Sequence, residues 1–387
     1  MTTPGRPELA LLPEDAEAYL RGKGWERTSS GQGPAELWQK VTPNGREEVL
    51  IPLAAGASDY ASRWSDLIQR LAAIESATPD SVFDAVLYAG ADVVEWRAVE
   101  VDEYDFTLPL DAAQRLISGA RDAVIAAAST AIQRRSFYGH RKTKQAREQA
   151  KLVRMGQTRR GSYVVPIISR IPVVDAATKL TEADRLLEAT VVPFQRQVFA
   201  NLASGLSAVH QLAVEAGRAP TKKQLYESVR SGVSAELCSA VTTALSTAAV
   251  RDLTVSFAWS ARLPRPATTT GLLNFPSGVE PILLRMQDDL READQPARQD
   301  VVGTVINLHH DEGDDQPEVT VRMALGTQRR QVKMRLEPRQ HEVATECYRT
   351  RQPIRATGVL TSPRGGSLLL EDISGFEIAQ PYLHGME

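Results

Sequence analysis

The stretch Glu318 to Leu336, EVTVRMALGTQRRQVKMRL, holds two runs in which apolar and polar residues alternate. Val319, Val321 and Met323 alternate with Thr320, Arg322 and Ala324, and Val332, Met334 and Leu336 alternate with Lys333 and Arg335. That is the period-two pattern of strands with one buried face. Working outward, the pattern predicts a strand over Val301 to Leu308, a helix over His341 to Thr350, and strands over Pro353 to Leu360 and Ser367 to Glu371. Pro363-Arg364-Gly365-Gly366 closes the last hairpin. Residues 300–387 thus read as three strands, a helix and two strands, with Gln295 to Gln299 linking them to a helix over Pro281 to Glu292.

The 387 residues leave room for two or three domains. With 42% hydrophobic and 24% charged residues, the composition is globular, which excludes wholesale disorder, a collagen-like fibre and a coiled-coil rod. Arginine outnumbers lysine 36 to 9 and alanine is abundant, a bias expected of a GC-rich bacterial genome. Cys238 and Cys347 form neither a disulfide framework nor a metal ligand set and read as small packing residues. The N-terminus lacks the apolar core of a signal peptide, and the longest apolar run, Leu116 to Ile132, is broken by Arg121 and Asp122. The expectation is a cytoplasmic protein with no membrane partner.

At the N-terminal end, Glu14 to Gly24 reads as a helix, Glu36 to Thr42 and Glu47 to Leu53 as strands around the turn Pro43-Asn44-Gly45-Arg46, and Asp59 to Glu75 as an amphipathic helix with Tyr60, Trp64, Leu67, Ile68 and Leu71 on one face. With a further strand preceding these two, residues 1–77 form an αβββα module. Residues 78–294 read as a helix–strand domain with a diverged internal duplication. Small-residue helical runs begin at Ser118-Gly119 and Ser231-Gly232, and each leads to a strand, Ser162 to Pro172 and Thr254 to Pro264, ending Arg170-Ile171-Pro172 and Arg262-Leu263-Pro264. The first copy carries a basic insertion at 134–160. The expected class is α+β.

The C-terminal order resembles an OB-fold, a five-stranded Greek-key barrel whose second and third strands commonly face nucleic acid. That resemblance implies a binding role for Arg322, Lys333 and Arg335, although those strands hold no Phe, Tyr or Trp to stack on bases. The N-terminal order resembles double-stranded-RNA-binding units, in particular the HicA-type RNA-cleaving toxins. The likeness lies in Leu20-Arg21-Gly22-Lys23-Gly24-Trp25 and Ile51-Pro52-Leu53. The family's catalytic histidine has no counterpart, since no histidine lies between Trp25 and Trp38, so the resemblance implies a module without cleavage activity.

Charge is segregated. Residues 134–160 hold ten cations (Arg134, Arg135, Arg141, Lys142, Lys144, Arg147, Lys151, Arg154, Arg159 and Arg160) against Glu148 alone. This segment is +9 in a chain of −3, so the remainder is −12. On a helix, Arg141, Lys144, Arg147, Lys151 and Arg154 fall within an arc of about 140°, with Ala146, Ala150 and Val153 on another face. Such a stripe suits phosphate-backbone contact or an acidic protein partner, and a solvated helix face is the alternative. Phe137, Tyr138 and His140 stand at its start, placed either to stack on bases or to pack inward.

No catalytic residue, metal ligand or cofactor site is expected. Phosphate-loop, dinucleotide, nucleophile-elbow and H-E-x-x-H patterns are absent from the sequence. His309-His310-Asp311-Glu312-Gly313-Asp314-Asp315 lacks calcium-loop spacing and reads as a polar hairpin loop. Pro79-Asp80 with Glu95-Trp96-Arg97 echoes a nuclease pattern whose last position is normally Lys, but Pro79-Asp80 also suits the start of a helix running through Tyr88. His210 reads as a packed histidine within a helix over Gln195 to Ala216. The functional expectation is a non-catalytic bacterial nucleic-acid-binding protein. The alternatives are an adaptor subunit of a multiprotein complex, for instance in antiviral defence, and last a metal-dependent nuclease.

Overall fold

The computed structural model describes residues 11–28, 33–43, 45–100, 107–139, 144–156, 163–172, 192–267, 271–294, 296–309, 316–325, 328–361 and 368–380. The chain is α+β, and it divides into two units, Met1–Val93 with Ala258–Arg265, and Val94–Phe257 with Pro266–Glu387.

In the first unit, helix α1 (Pro13–Gly22) opens with a proline at a position that needs no N–H donor. It leads into an antiparallel sheet of β1 (Glu26–Arg27), β2 (Ala35–Thr42) and β3 (Gly45–Pro52). Thr42 pairs with Gly45, so β3 begins two residues before the expected Glu47 and Gly45 lies in the strand rather than in the turn. Helix α2 (Tyr60–Glu75) buries Trp64, Leu67, Ile68 and Leu71 against the sheet, and α3 (Pro79–Tyr88) adds Val82 and Val86. Thr78 caps α3 by accepting from Ser81 N at 3.3 Å, so Pro79-Asp80 opens a helix. The core is closed by Trp25, Trp38 and Ile51.

The second unit begins with a five-stranded sheet in the order β5-β6-β4-β7-β8, made of β4 (Ala91–Glu100), β5 (Arg154–Met155), β6 (Tyr163–Arg170), β7 (Val250–Ala258) and β8 (Leu273–Pro276). Against it lie α4 (Leu110–Ile132) and α6 (Phe194–His210, continued by a π turn over Gln211–Glu215); α8 (Ala235–Leu245) packs on α4, and α9 (Glu280–Ala293) packs on α8. Two shorter helices complete the layer, α5 (Lys144–Leu152) and α7 (Lys222–Ser228). Helix α4 packs on α8, and β6 and β7 both neighbour β4, so the two helix–strand pairs of the expected duplication stand side by side.

The match is looser than the sequence motif suggests. Gly119 is inside a helix, whereas Gly232 has φ 100° in the turn before α8. Arg170 ends β6, but β7 stops at Ala258, and Arg262-Leu263-Pro264 lies beyond the sheet in the first unit. The common Arg-Ile/Leu-Pro therefore marks no equivalent strand end.

The C-terminal part is a closed mixed barrel of β9 (Arg298–His309), β10 (Glu318–Leu325), β11 (Gln328–Arg335), β12 (Pro353–Thr361) and β13 (Leu368–Ile378), ordered β10-β11-β13-β12-β9. It is compatible with an OB-like barrel. β11 and β13 run parallel and the other pairs antiparallel. Helix α10 (Pro338–Thr350) sits between β11 and β12 in sequence and packs on β9, β12 and β13. Val301, Val305, Val319, Val321, Val332, Met334, Leu336, Ile354 and Leu370 fill the interior. Two glycines let neighbouring barrel strands approach closely. A Cβ at Gly303 would collide with Arg322 O, and one at Gly358 would approach Glu371 O to 2.6 Å.

No helix among the described residues is long and apolar enough to cross a membrane. Cys238 and Cys347 are free and buried, and burial pushes the Cys238 thiol up to about 12, so it packs as a neutral side chain. His210 Nε2 lies 3.1 Å from Asn274 O, with its ring edge-on to Phe275 and Nδ1 3.2 Å from Glu215.

Candidate nucleic-acid interface

The basic segment forms a helix, but a shorter one than its charge pattern implies. α5 packs on α4 through buried Ala146 and Gln149, with Ala150 and Val153 half-buried. Lys144, Arg147 and Lys151 are exposed on its other side. On the buried face Ala146 has no side-chain entropy to lose, whereas burying Gln149 orders a rotamer-rich side chain. Arg154 is exposed but not helical: it starts β5 and pairs with Ile168 on β6, so the helical arc ends one turn early. Glu148 is less isolated than expected. It accepts from Lys151 Nζ at 2.8 Å, and Lys151 and Lys144 hold its carboxyl below the usual carboxylate range. Both groups of that pair are solvated, so it costs Lys151 little of its reach for another anion.

Arg134 and Arg135 do not join the stripe. Arg134 donates to Arg230 O and, at 3.2 Å, to Asn201 Oδ1, and burial lowers its guanidinium from the ordinary value. Arg135 pairs with Asp294 at 3.1 Å, with only 18% of its side chain exposed. Around them the chain between α4 and the barrel is stitched together: Arg134 N donates to Gln299 Oε1 at 2.7 Å, Ala297 N to Arg134 O at 2.8 Å, and Gln133 Nε2 to Leu360 O at 2.6 Å. The main chain of Arg134 and the side chain of Gln133 thus join the barrel to the helical layer, while the two guanidiniums bond Asn201, Arg230 O and Asp294. Arg141, Lys142, Arg159, Arg160 and His140 lie outside the described residues, as do residues 310–315 of the His-Asp loop.

Tyr138 packs inward. Its hydroxyl donates to Gln133 O at 2.6 Å and lies 3.2 Å from Thr130 Oγ1, and burial pushes its pKa well above the ordinary value. Tyr138 N and Gly139 N both donate to Glu236 Oε1, at 3.1 and 2.9 Å, fixing the chain that leads to α5. Tyr138→Phe leaves the carbonyl of Gln133 without this donor and is expected to cost about 1–2 kcal/mol in a urea titration. A change within error would show that the hydroxyl is not part of this anchor.

On the barrel, the register sets Glu318, Thr320 and Arg322 of β10 opposite Arg335, Lys333 and Gln331 of β11 on one face. Arg329, which the sequence reading passed over, joins the same row. Arg322, Arg329 and Arg335 are exposed, and Lys333 donates to Glu318 Oε1 at 2.6 Å. This face carries charge without a stacking platform. Asp80 lies in the first turn of α3 and Glu95 on β4, and among the described residues no three His, Cys, Asp or Glu side chains converge as metal ligands.

The chain matches no protein-family model, no curated protein and no solved structure.

Proposed function

We propose that this protein binds nucleic acid through the phosphate backbone and acts by holding it rather than by cleaving it. The observation that supports this reading most is the docked α5–β5 segment, which buries Ala146 and Gln149 and leaves Lys144, Arg147, Lys151 and Arg154 in solvent. Cations at intervals along one surface suit phosphates, and with no aromatic residue in α5 or β5 the binding is dominated by charge rather than base identity. The β10–β11 face, with Arg322, Arg329, Lys333 and Arg335, is the surface an OB-like barrel would add to it.

The test is fluorescence anisotropy of the full chain with labelled single- and double-stranded DNA and RNA over a salt series. Four cations releasing counterions give a slope of log K against log salt of about −3. Absence of binding to all four at low salt, or a slope near zero, would overturn the reading.

A second reading has its own support. Leu152 is 63% and Met155 46% exposed beside Lys151 and Arg154. A mixed apolar and cationic surface suits an acidic protein partner, as an adaptor in a cytoplasmic complex, including a bacterial defence or toxin complex, would need. Retention of a protein partner after Leu152→Ser with Met155→Ser would count against it.

A further inference from the structure

We propose that the cleft between the helical layer and the barrel is a binding site for a small ligand carrying a di- or triphosphate group. The cleft measures about 600 Å³, within the range of small-molecule sites and too confined for a duplex. Arg134 from the end of α4, Arg230 from the turn after α7, Arg298 from β9 and Arg355 from β12 line it, and Asp300 is the only acid among the described residues that line it. The described lining therefore carries three positive charges in surplus. Asp300 Oδ1 is engaged by the Thr357 hydroxyl at 2.7 Å.

Folding does not favour this arrangement for its own sake. Like charges brought together from distant parts of the chain repel, and partial burial weakens the water that would screen them. Arg134 is anchored by Asn201 and the Arg230 carbonyl, so one guanidinium is pre-positioned. The Nε of Arg355 is buried and, among the described residues, has no hydrogen-bond partner. A buried donor left unmade is costly, and an anion seated in the cleft would satisfy it. Guanidinium forks match phosphate oxygens two at a time, and several forks around one volume favour a polyphosphate over a single carboxylate. This site does not depend on α5: no residue of that helix lines the cleft.

The experiment is isothermal titration of the full chain with inorganic pyrophosphate, ATP and, as an anion of comparable charge without phosphorus, citrate. Saturable one-to-one binding of pyrophosphate and ATP is expected, tighter than citrate, and weakened about tenfold or more by Arg298→Gln and by Arg355→Gln. Arg147→Glu with Lys151→Glu should leave it unchanged, which separates this site from the nucleic-acid surface. The ligand-free Arg298→Gln protein should melt no lower than the parent, because it loses a repelling charge. No saturable binding at millimolar pyrophosphate and low salt, citrate bound as tightly as pyrophosphate, or unchanged affinity in the variants would overturn the proposal. Should one variant fail to fold, the other, with Arg230→Gln at an exposed position of the rim, reads the same affinity.

Discussion

Arg147→Glu combined with Lys151→Glu is expected to lower polyanion affinity at low salt on the order of 100-fold, and to leave the melting temperature within about 2 °C of the parent. The affinity change is large because each replacement removes a phosphate contact and puts a repelling charge in its place. The stability change is small because both side chains are exposed, and Lys151 spends only a solvated pair with Glu148. The salt slope should fall by about 2, one for each cation removed. Anisotropy and differential scanning calorimetry on the same preparations read both quantities. A drop of several degrees with affinity unchanged would make α5 a structural strut and sink its role as a phosphate grip.

The fold was more legible in the sequence than the site was. Period-two alternation over Val319–Met323 and Val332–Leu336 reports the barrel because each strand buries one face, and Val319, Val321, Val332 and Met334 are all fully buried. The stripe at Tyr60, Trp64, Leu67, Ile68 and Leu71 reports α2 for the same reason. The two-residue strand β5 has no period to detect, and sheet pairing alone defines it.

Charge density misled where burial intervened. Arg134, Arg135 and Arg147 look alike in a string of cations, yet only Arg147 is exposed, because Arg134 and Arg135 sit where the chain leaves α4 and meets Asn201, Arg230 and Asp294. The cleft shows the opposite failure. Arg230, Arg298 and Arg355 are isolated in sequence, and only the docking of β9 and β12 beside α4 and α6 brings them together with Arg134. No local spacing encodes that meeting.

The largest loss of stability is expected from Asp15→Ala. Asp15 stands in the first turn of α1 with 1% of its side chain exposed, and it accepts from Arg262 Nη2 at 3.0 Å. Arg262 reaches it from the short stretch Ala258–Arg265, which belongs to the first unit although some 165 residues separate it from Val93 in the chain. Gly90 leaves the space for this pair: a Cβ there would overlap Asp15 Oδ1 and come within 2.8 Å of the Arg262 guanidinium. Removing the carboxylate takes an ion-pair partner from a guanidinium that is 17% exposed, and breaking a buried ion pair from one side costs roughly 3–5 kcal/mol. Because Trp25, Trp38, Trp64 and Trp259 belong to this unit and Trp96 does not, tryptophan fluorescence in urea follows its unfolding in particular. Asp15→Leu with Arg262→Met should recover part of the loss, since it replaces both members of the pair with apolar side chains. Gly90→Ala should reproduce part of it by forcing the pair apart. A loss below about 1 kcal/mol in Asp15→Ala would mean that solvent reaches Arg262 once its partner is gone, and that the return of Ala258–Arg265 to the first unit is held by apolar packing instead.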